Sequence, residues 1–534
     1  MGEVAVCKTK RALQIKVPVA NDLHRGSRHR YLPRDTFTPL PYRRVYGRQR
    51  GSEKGRKWLH GMAICAQQTR PHNQQELTTQ RGHGSNVKTL LNIIIKDLQP
   101  LNAVKGSHLA QILQPSLNVP FWIRNELQNL YRDKRLEVQK AVNNVTNLTL
   151  SAELWNSSEE MFYLTVSCHL INENWELKSY VLDTAHLLTD HTAERAVEQL
   201  LRISNEWNVT EKTEFVVTNV NGIRKVHNNR CRWTYISCFA YTLDKVFKET
   251  IMSSDWEPLL RKCQQIVAFF HQNEKASQKL QEYRDSLHLE RKELTQSSGL
   301  KWFPTLHMLK NILVLWPAIF KVFVDKRVED LCLNENERKI VENIVAVLNI
   351  LKDVTQEIGK EGFSPISNII PLVQMLQERL RNLMMMENRI AKRLSEKCDY
   401  HIGSIKHNLW FRVCTALDPG YKARVLRDAG IEDVTAEIRR HIRGETHTYD
   451  TESEESVWQK YWKLTGISVN ALKFWKTKEE FQKLATVARK YLTVVSTAIP
   501  MERVHQPHKS QIVNRRNCLE PENLNMILFL NSNQ

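Results

Sequence analysis

The residues of this chain best suited to direct chemistry near its start are cations. Arg43 and Arg44 form one cluster, and Lys54, Arg56 and Lys57 form another, with Tyr31, Tyr42, Tyr46 and Trp58 interleaved. Clustered Lys and Arg bind phosphate polymers by releasing condensed counterions, and short basic runs also act as nuclear-import signals. Residues 1–84 hold 17 Lys+Arg against 5 Asp+Glu, whereas the other 450 residues hold 60 against 53. The net charge of +19 over 534 residues is therefore mostly a property of this first stretch. Pro and Gly punctuate it and no helix or strand period is sustained. It reads as a basic leader with a nuclear or nucleic-acid role, as a solvated disordered leader with none, or as a transit-type segment rich in Arg and poor in acids.

Metal and redox chemistry are poorly supported by the spacing. Ten cysteines are scattered with no Cys-x-x-Cys pair. In residues 1–84 only Cys7 and Cys65 are present, with His24, His29, His60, His72 and His83 spread around them. A tetrahedral zinc site needs four ligands at close spacing, so no metal and no cofactor are expected. No signal-peptide core is visible, and no run approaches the roughly 18 apolar residues of a membrane span. An intracellular, nuclear protein without membrane segments is the expectation. The 41% hydrophobic and 25% charged content is that of a globular chain.

The elements that must position any chemistry begin near residue 86. Apolar spacing predicts helices over 86–98, 107–113 and 121–145, forming a helical module over 86–145. Three β-type runs follow, Thr146–Leu154, Phe162–Ile171 and Trp175–Asp183, the last two joined by a hairpin at Asn172–Asn174. A helix over Asp190–Trp207, with Asp190 as N-cap, precedes further strands at Glu214–Asn219 and Trp233–Cys238 and a helix from Ala240 to Ile251. This order predicts an α/β fold, a mixed sheet flanked by helices. Residues 255–454 read as almost wholly helical, and a polar stretch at Thr446–Ser456 reads as a loop or linker. The last segment, 455–534, is helical and rich in aromatics.

Several motifs in collinear order carry a resemblance. Leu150-Ser151-Ala152-Glu153-Leu154-Trp155-Asn156-Ser157, Trp175-Glu176-Leu177, Leu182-Asp183-Thr184-Ala185-His186 with His191-Thr192, and Val217-Thr218-Asn219 lie in the first half. Leu417-Asp418-Pro419-Gly420-Tyr421-Lys422, Ile499-Pro500-Met501-Glu502-Arg503-Val504 and Asn514-Arg515-Arg516-Asn517 lie in the second, with Leu519-Glu520-Pro521-Glu522-Asn523-Leu524-Asn525 closing the series. From about residue 86 onward the sequence resembles a transposase of the hAT superfamily, of the kind found in BED-zinc-finger (ZBED-type) domesticated transposases, without a recognisable BED finger. The resemblance implies a ribonuclease-H-like mixed sheet, begun in 146–254, interrupted by a large all-α insertion over 255–454 and completed by a C-terminal dimerisation region over 455–534.

The resemblance also implies where a two-metal site would stand. Active relatives hold two divalent metals on two aspartates and a glutamate, and use them to cleave and join DNA phosphodiesters. The first aspartate falls on Glu153, one methylene longer; the second falls on Asn219, a neutral amide; the glutamate is Glu502. The Cys-x-x-His element reads Cys238-Phe239-Ala240-Tyr241, and the Arg-Trp block reads Lys301-Trp302-Phe303-Pro304-Thr305. One neutralised and one lengthened ligand predict a degenerate site and no enzyme activity, since hard cations need tightly placed anionic oxygens. The expected function is a domesticated, inactive nuclear protein that self-associates and contacts DNA or chromatin in transcriptional regulation; an active metal-dependent transposase or nuclease is the alternative. Arg515 and Arg516 join the leader's cations as expected DNA contacts of weak sequence specificity. Trp458, Trp462, Phe481, Leu484, Tyr491, Leu528 and Phe529 are expected at the surface joining two copies, with no small-molecule substrate.

Overall fold

The computed structural model describes residues 81–100, 119–157, 161–187, 192–226, 232–252, 256–297, 301–358, 363, 365–422, 431–445, 451–464, 470–499, 515–516 and 519–534. The basic clusters from Arg43 to Lys57, the expected helix at 107–113 and Glu502 lie outside them.

Two helices come first, α1 (Arg81–Lys96) and α2 (Val119–Asn143). The apolar residues that give α1 its period, Leu90, Leu91, Ile94 and Ile95, are all buried. The chain then enters β1 (Leu148–Asn156), β2 (Phe162–Ile171) and β3 (Leu177–Leu187), an antiparallel meander. The turn from β2 to β3 closes at Trp175, whose backbone is left-handed at φ 61° and whose N–H donates to the Asn172 carbonyl at 3.0 Å. The next helix is α3 (Ala193–Glu206), and its N-cap is Thr192, not Asp190. Thr192 stands immediately before the first helical residue, where its hydroxyl accepts from the Arg195 N–H; Asp190 lies outside the described residues.

After α3 the chain returns as β4 (Thr213–Thr218), parallel to β1, and β5 (Thr234–Ser237), parallel to β4. The sheet is five-stranded and mixed, in the order β3-β2-β1-β4-β5. Alternation along the central strands serves two different cores. Val216 faces one with Leu150, Ala152 and Val166, while Phe215 and Val217 face the other.

The long central region is helical: α4 (Phe239–Met252), α5 (Glu257–Gln272), α6 (Glu274–Ser286), α7 (Trp302–Lys326), α8 (Glu335–Glu357), α9 (Ile369–Met385), α10 (Arg389–Ile402), α11 (Leu409–Ala416) and α12 (Ile431–Glu445). Side-chain caps fix several starts. Asn273, Asn334, Asn388 and Asn408 each accept from a first-turn N–H, and Asn334 with Glu337 completes a capping box. Among the described helices, α7 alone is long and apolar enough by length and composition to cross a membrane, which corrects the expectation that no segment approaches that limit. Its apolarity has another cause: Trp302, Phe303, Leu306, Leu309, Ile312, Ile319 and Phe323 are buried among the other helices.

The C-terminal part comprises α13 (Thr451–Lys463), α14 (Ala471–Thr477), α15 (Gln482–Tyr491) and α16 (Pro521–Ser532). Residues 451–456, expected as linker, are helical; acidic residues are favourable in a helix's first turn, so polarity there did not signal a break. The C-terminal segment is threaded through the rest. Thr493 bonds Thr149 of β1, the Val494 carbonyl accepts from Ile366 N–H, the Ser496 carbonyl accepts from Phe239 N–H, and Ala498 N–H donates to Cys238 Sγ. Lys422 is buried, donates to the Tyr461 and Trp462 carbonyls at the end of α13 and lies over the Tyr461 ring; burial pulls its ammonium down to about 8. The Leu-Asp-Pro-Gly-Tyr-Lys motif thus ends in a cation that caps a helix of the C-terminal segment.

Candidate functional site

Glu153 and Asn219 come together because β1 and β4 are parallel neighbours, with Ala152 opposite Thr218 at the carboxyl end of the pairing. One residue further on each strand, the ladder stops and side chains take over. Asn219 uses its whole amide on the β1 backbone: Oδ1 accepts from Leu154 N–H at 2.8 Å, and Nδ2 donates to the Leu154 carbonyl at 2.8 Å. An amide can do both at once; a carboxylate could only accept.

Glu153 projects from the β1 face that also carries Thr149 and Ser151. Its Oε2 is 3.9 Å from Arg516 Nη1, with both side chains largely withdrawn from solvent. The Arg516 guanidinium also lies 5.2 Å from the centre of the Trp155 ring. Trp155 is held in turn by a 3.0 Å bond from Nε1 to Thr165 and by stacking on Tyr163 at 4.8 Å. A planar cation between a carboxylate and an indole face gains from both, and partial burial strengthens each. Arg516 was expected on a DNA-facing surface; this pairing explains why it is 6% exposed instead. Its neighbour Arg515 is also engaged within the chain, donating to the Asp97 carbonyl at 3.1 Å just beyond α1.

The described positions do not fit a divalent cation. Such an ion needs anionic oxygens free to converge on it. Here Glu153 faces a guanidinium, and Asn219 is neutral with its oxygen already committed to Leu154. Beside them Cys238 is fully buried, and burial raises its thiol above the usual range. Its sulfur accepts from Ala498 N–H and so fixes the C-terminal segment against the start of α4.

The residues expected to join two copies occupy the interior of one. Trp458, Phe481, Leu484 and Tyr491 are at most 4% exposed and belong to the core that includes the helical region; Trp462 packs against them, stacked on Trp458 at 5.1 Å. Leu528 and Phe529 are also buried, but in the other core, with Phe529 packed against Tyr131 and Trp207. The seven therefore do not form one surface, and the expectation is corrected on that point: apolar helical side chains of this kind were needed to close two cores within the chain.

Sequence reasoning missed the cavity beside Asn219, which Asn221, Arg224, Ser237, Tyr241, Lys245 and Asn408 help to line. Its one local signal was Gly222, whose left-handed backbone (φ 78°) turns the chain sharply after β4 and presents Arg224 and Lys225. Asn408, nearly two hundred residues away, carried no such signal.

Comparison with known proteins agrees with this architecture. Residues 151–230 match the ZBED1 RNase-like domain, residues 236–347 the ZBED1 RNase-like helical domain, and residues 448–534 the hAT family C-terminal dimerisation region. The human protein named zinc finger BED domain-containing protein 4 is 22% identical over 377 residues, covering 66% of this chain and 32% of that protein. The maize putative AC transposase is 20% identical over 366 residues, covering 63% of this chain and 45% of the relative. Mouse zinc finger BED domain-containing protein 6 is 21% identical over 318 residues, covering 55% of this chain and 32% of the relative. The chain is thus similar to hAT transposases and to ZBED proteins, and its residues 448–534 match a hAT dimerisation region. It spans less than half the length of these relatives.

Proposed function

We propose that this chain is a catalytically inactive descendant of a ribonuclease-H-like hAT transposase, acting in the nucleus as a self-associating protein that contacts DNA or chromatin partners in transcriptional regulation. The observation that carries the reading is the state of the former metal positions: Arg516 beside Glu153, and the Asn219 amide spent on Leu154. Two-metal phosphoryl transfer depends on cations placed by ionised oxygens. A guanidinium beside the one carboxylate in view repels a divalent ion, and an amide contributes no charge to hold it.

Self-association is supported by the match of residues 448–534 to a dimerisation region. Loose DNA contact is supported by the cation excess in residues 1–84, which implies salt-sensitive binding without base reading. The test is strand cleavage on duplex and hairpin DNA with Mg²⁺ or Mn²⁺, alongside light scattering of the same preparation. The expected result is an assembled protein with no metal-dependent nicking above a metal-free control. Metal-dependent cleavage by the unaltered chain overturns the inactive reading, and a monomeric mass at micromolar concentration overturns self-association.

A further inference from the structure

The cavity beside Asn219 has a one-sided chemistry. It measures about 180 Å³ and opens at the carboxyl ends of β4 and β5, between the starts of α4 and α11. Among the described residues that line it none is Asp or Glu, while Arg224 and Lys245 are cations. The nearby carboxylate of Glu249 is occupied by His401, at 2.8 Å, and Lys397.

Two of the neutral groups have their oxygens engaged and keep a donor to spare. Asn408 Oδ1 accepts from the Trp410 and Phe411 N–H groups, which leaves its Nδ2 as a donor. The Tyr241 hydroxyl oxygen accepts from Asn221 Nδ2 at 3.0 Å, so its own proton is free to point elsewhere. Arg224 is steadied by Ser237 at 3.4 Å, and a guanidinium carries further N–H groups beyond that bond. Asn408, Tyr241 and Arg224 therefore offer a ligand N–H and O–H, with positive charge from Arg224 and Lys245. The start of α4 adds the partial positive charge of a helix N-terminus.

We propose that this cavity binds a phosphate group directly on side-chain donors, with no bridging divalent cation. The ligand is a phosphate monoester or diester, supplied either by a free nucleotide or by the terminal or internal phosphate of a nucleic-acid strand. The inference rests on the inactive reading: a floor that once needed acids to hold metal now presents amides and cations. Arg224 and Lys245 are exposed at the rim, so truncating them leaves both cores intact.

The experiment uses the full chain in EDTA, titrated with a 5′-phosphorylated trinucleotide, its 5′-hydroxyl counterpart, and adenosine 5′-monophosphate. Short probes limit the share of binding that the leader's cations can supply. The parent is expected to bind at least one phosphorylated probe, and the Arg224→Ala/Lys245→Ala variant to bind it about tenfold or more weakly with an unchanged melting temperature. Slower hydrogen exchange at residues 220–226 and 404–411 on adding the probe is the second readout. Binding of the mononucleotide alone identifies a free monoester as the ligand, and binding of the trinucleotide alone identifies a strand phosphate. Equal affinity of parent and variant, absence of binding to every probe, or binding that needs Mg²⁺ overturns the proposal. If the variant binds equally well while strand cleavage stays absent, this inference fails alone; metal-dependent cleavage removes the inactive reading beneath it.

Discussion

Two asparagines at opposite sides of the sheet make the same contact for different ends. Asn533, at the close of α16, accepts from Val181 N–H at 2.9 Å and donates to the Val181 carbonyl at 2.8 Å. Asn219 does the same to Leu154. Val181 lies on β3, the outer strand, at a point where the pairing with β2 slips by a residue. Asn525 adds a bond from Thr184 N–H at 2.9 Å, so α16 covers that edge with amides. Unpaired strand edges invite pairing with other chains, and a side-chain amide imitates the missing strand one residue at a time. On β1 the same imitation is made by the residue that the proposed function reads as a former metal ligand. Closing a backbone and ligating a cation compete for the same oxygen, and at Asn219 the backbone has it.

The comparison breaks most visibly at the buried member. Asn533 is 3% exposed, so Asn533→Asp keeps the bond from Val181 N–H but sets a carboxylate oxygen against the Val181 carbonyl out of reach of water. The expected loss is about 3 kcal/mol, read as a lower urea midpoint together with faster exchange of the Val181 amide. An unchanged midpoint would mean that α16 is held by its apolar face alone.

Between the two asparagines runs a polar row that a change of pH should unsettle next. His169 on β2 bonds Ser179 on β3 through Nδ1 and Ser151 on β1 through Nε2, each at 2.8 Å, with Phe363 edge-on at 4.5 Å. Burial pushes its imidazole down to about 3, so the folded state keeps it neutral. The unfolded chain takes up a proton near pH 6.5, the folded chain only near 3. Stability from this group is therefore complete above pH 6.5 and falls as pH drops from there toward 3, by about 2 kcal/mol at pH 5. The check is the pH dependence of the unfolding midpoint in the parent and in His169→Gln. Parallel curves across pH 5–7 would show that the ring is not held neutral.

Much of this organisation was legible in the chain. Alternating runs gave all five strands close to their observed limits, because each has to pack at least one face. The hairpin at Asn172–Asn174 was readable for a related reason, since a short polar connection leaves few turns available. Caps were harder: the helix opens on Thr192 rather than at the expected position, because a shift of two residues decides which N–H is in reach. The site was legible in its residues and not in its contacts. That Asn219 stands where the resemblance implies a carboxylate could be read from one motif. That its amide would bridge Leu154, or that Arg516 would cross 363 positions to face Glu153, depends on tertiary placement that no local period encodes. The aromatics of the C-terminal segment misled for the opposite reason: a large apolar helix face is the same signal whether it closes a core or meets a partner.

The smallest expected effect is the one that separates the two views of Asn219. If it is a ligand lost with nothing gained, Asn219→Asp should be free of cost, and Mg²⁺ should stabilise the variant by binding its folded state. If it is a backbone clamp, the new carboxylate keeps the bond from Leu154 N–H and repels the Leu154 carbonyl. Asn219 is half-buried, so water relieves part of that repulsion, and the cost should be about 1 kcal/mol, well below that of Asn533→Asp. Nor should Mg²⁺ recover it, because Arg516 still sits 3.9 Å from Glu153 and opposes a second cation there. Thermal melts of parent and variant, each with and without millimolar Mg²⁺, decide the matter. A variant that melts at the parent's temperature, or that rises with Mg²⁺ while the parent does not, would return Asn219 to the role of a missing ligand.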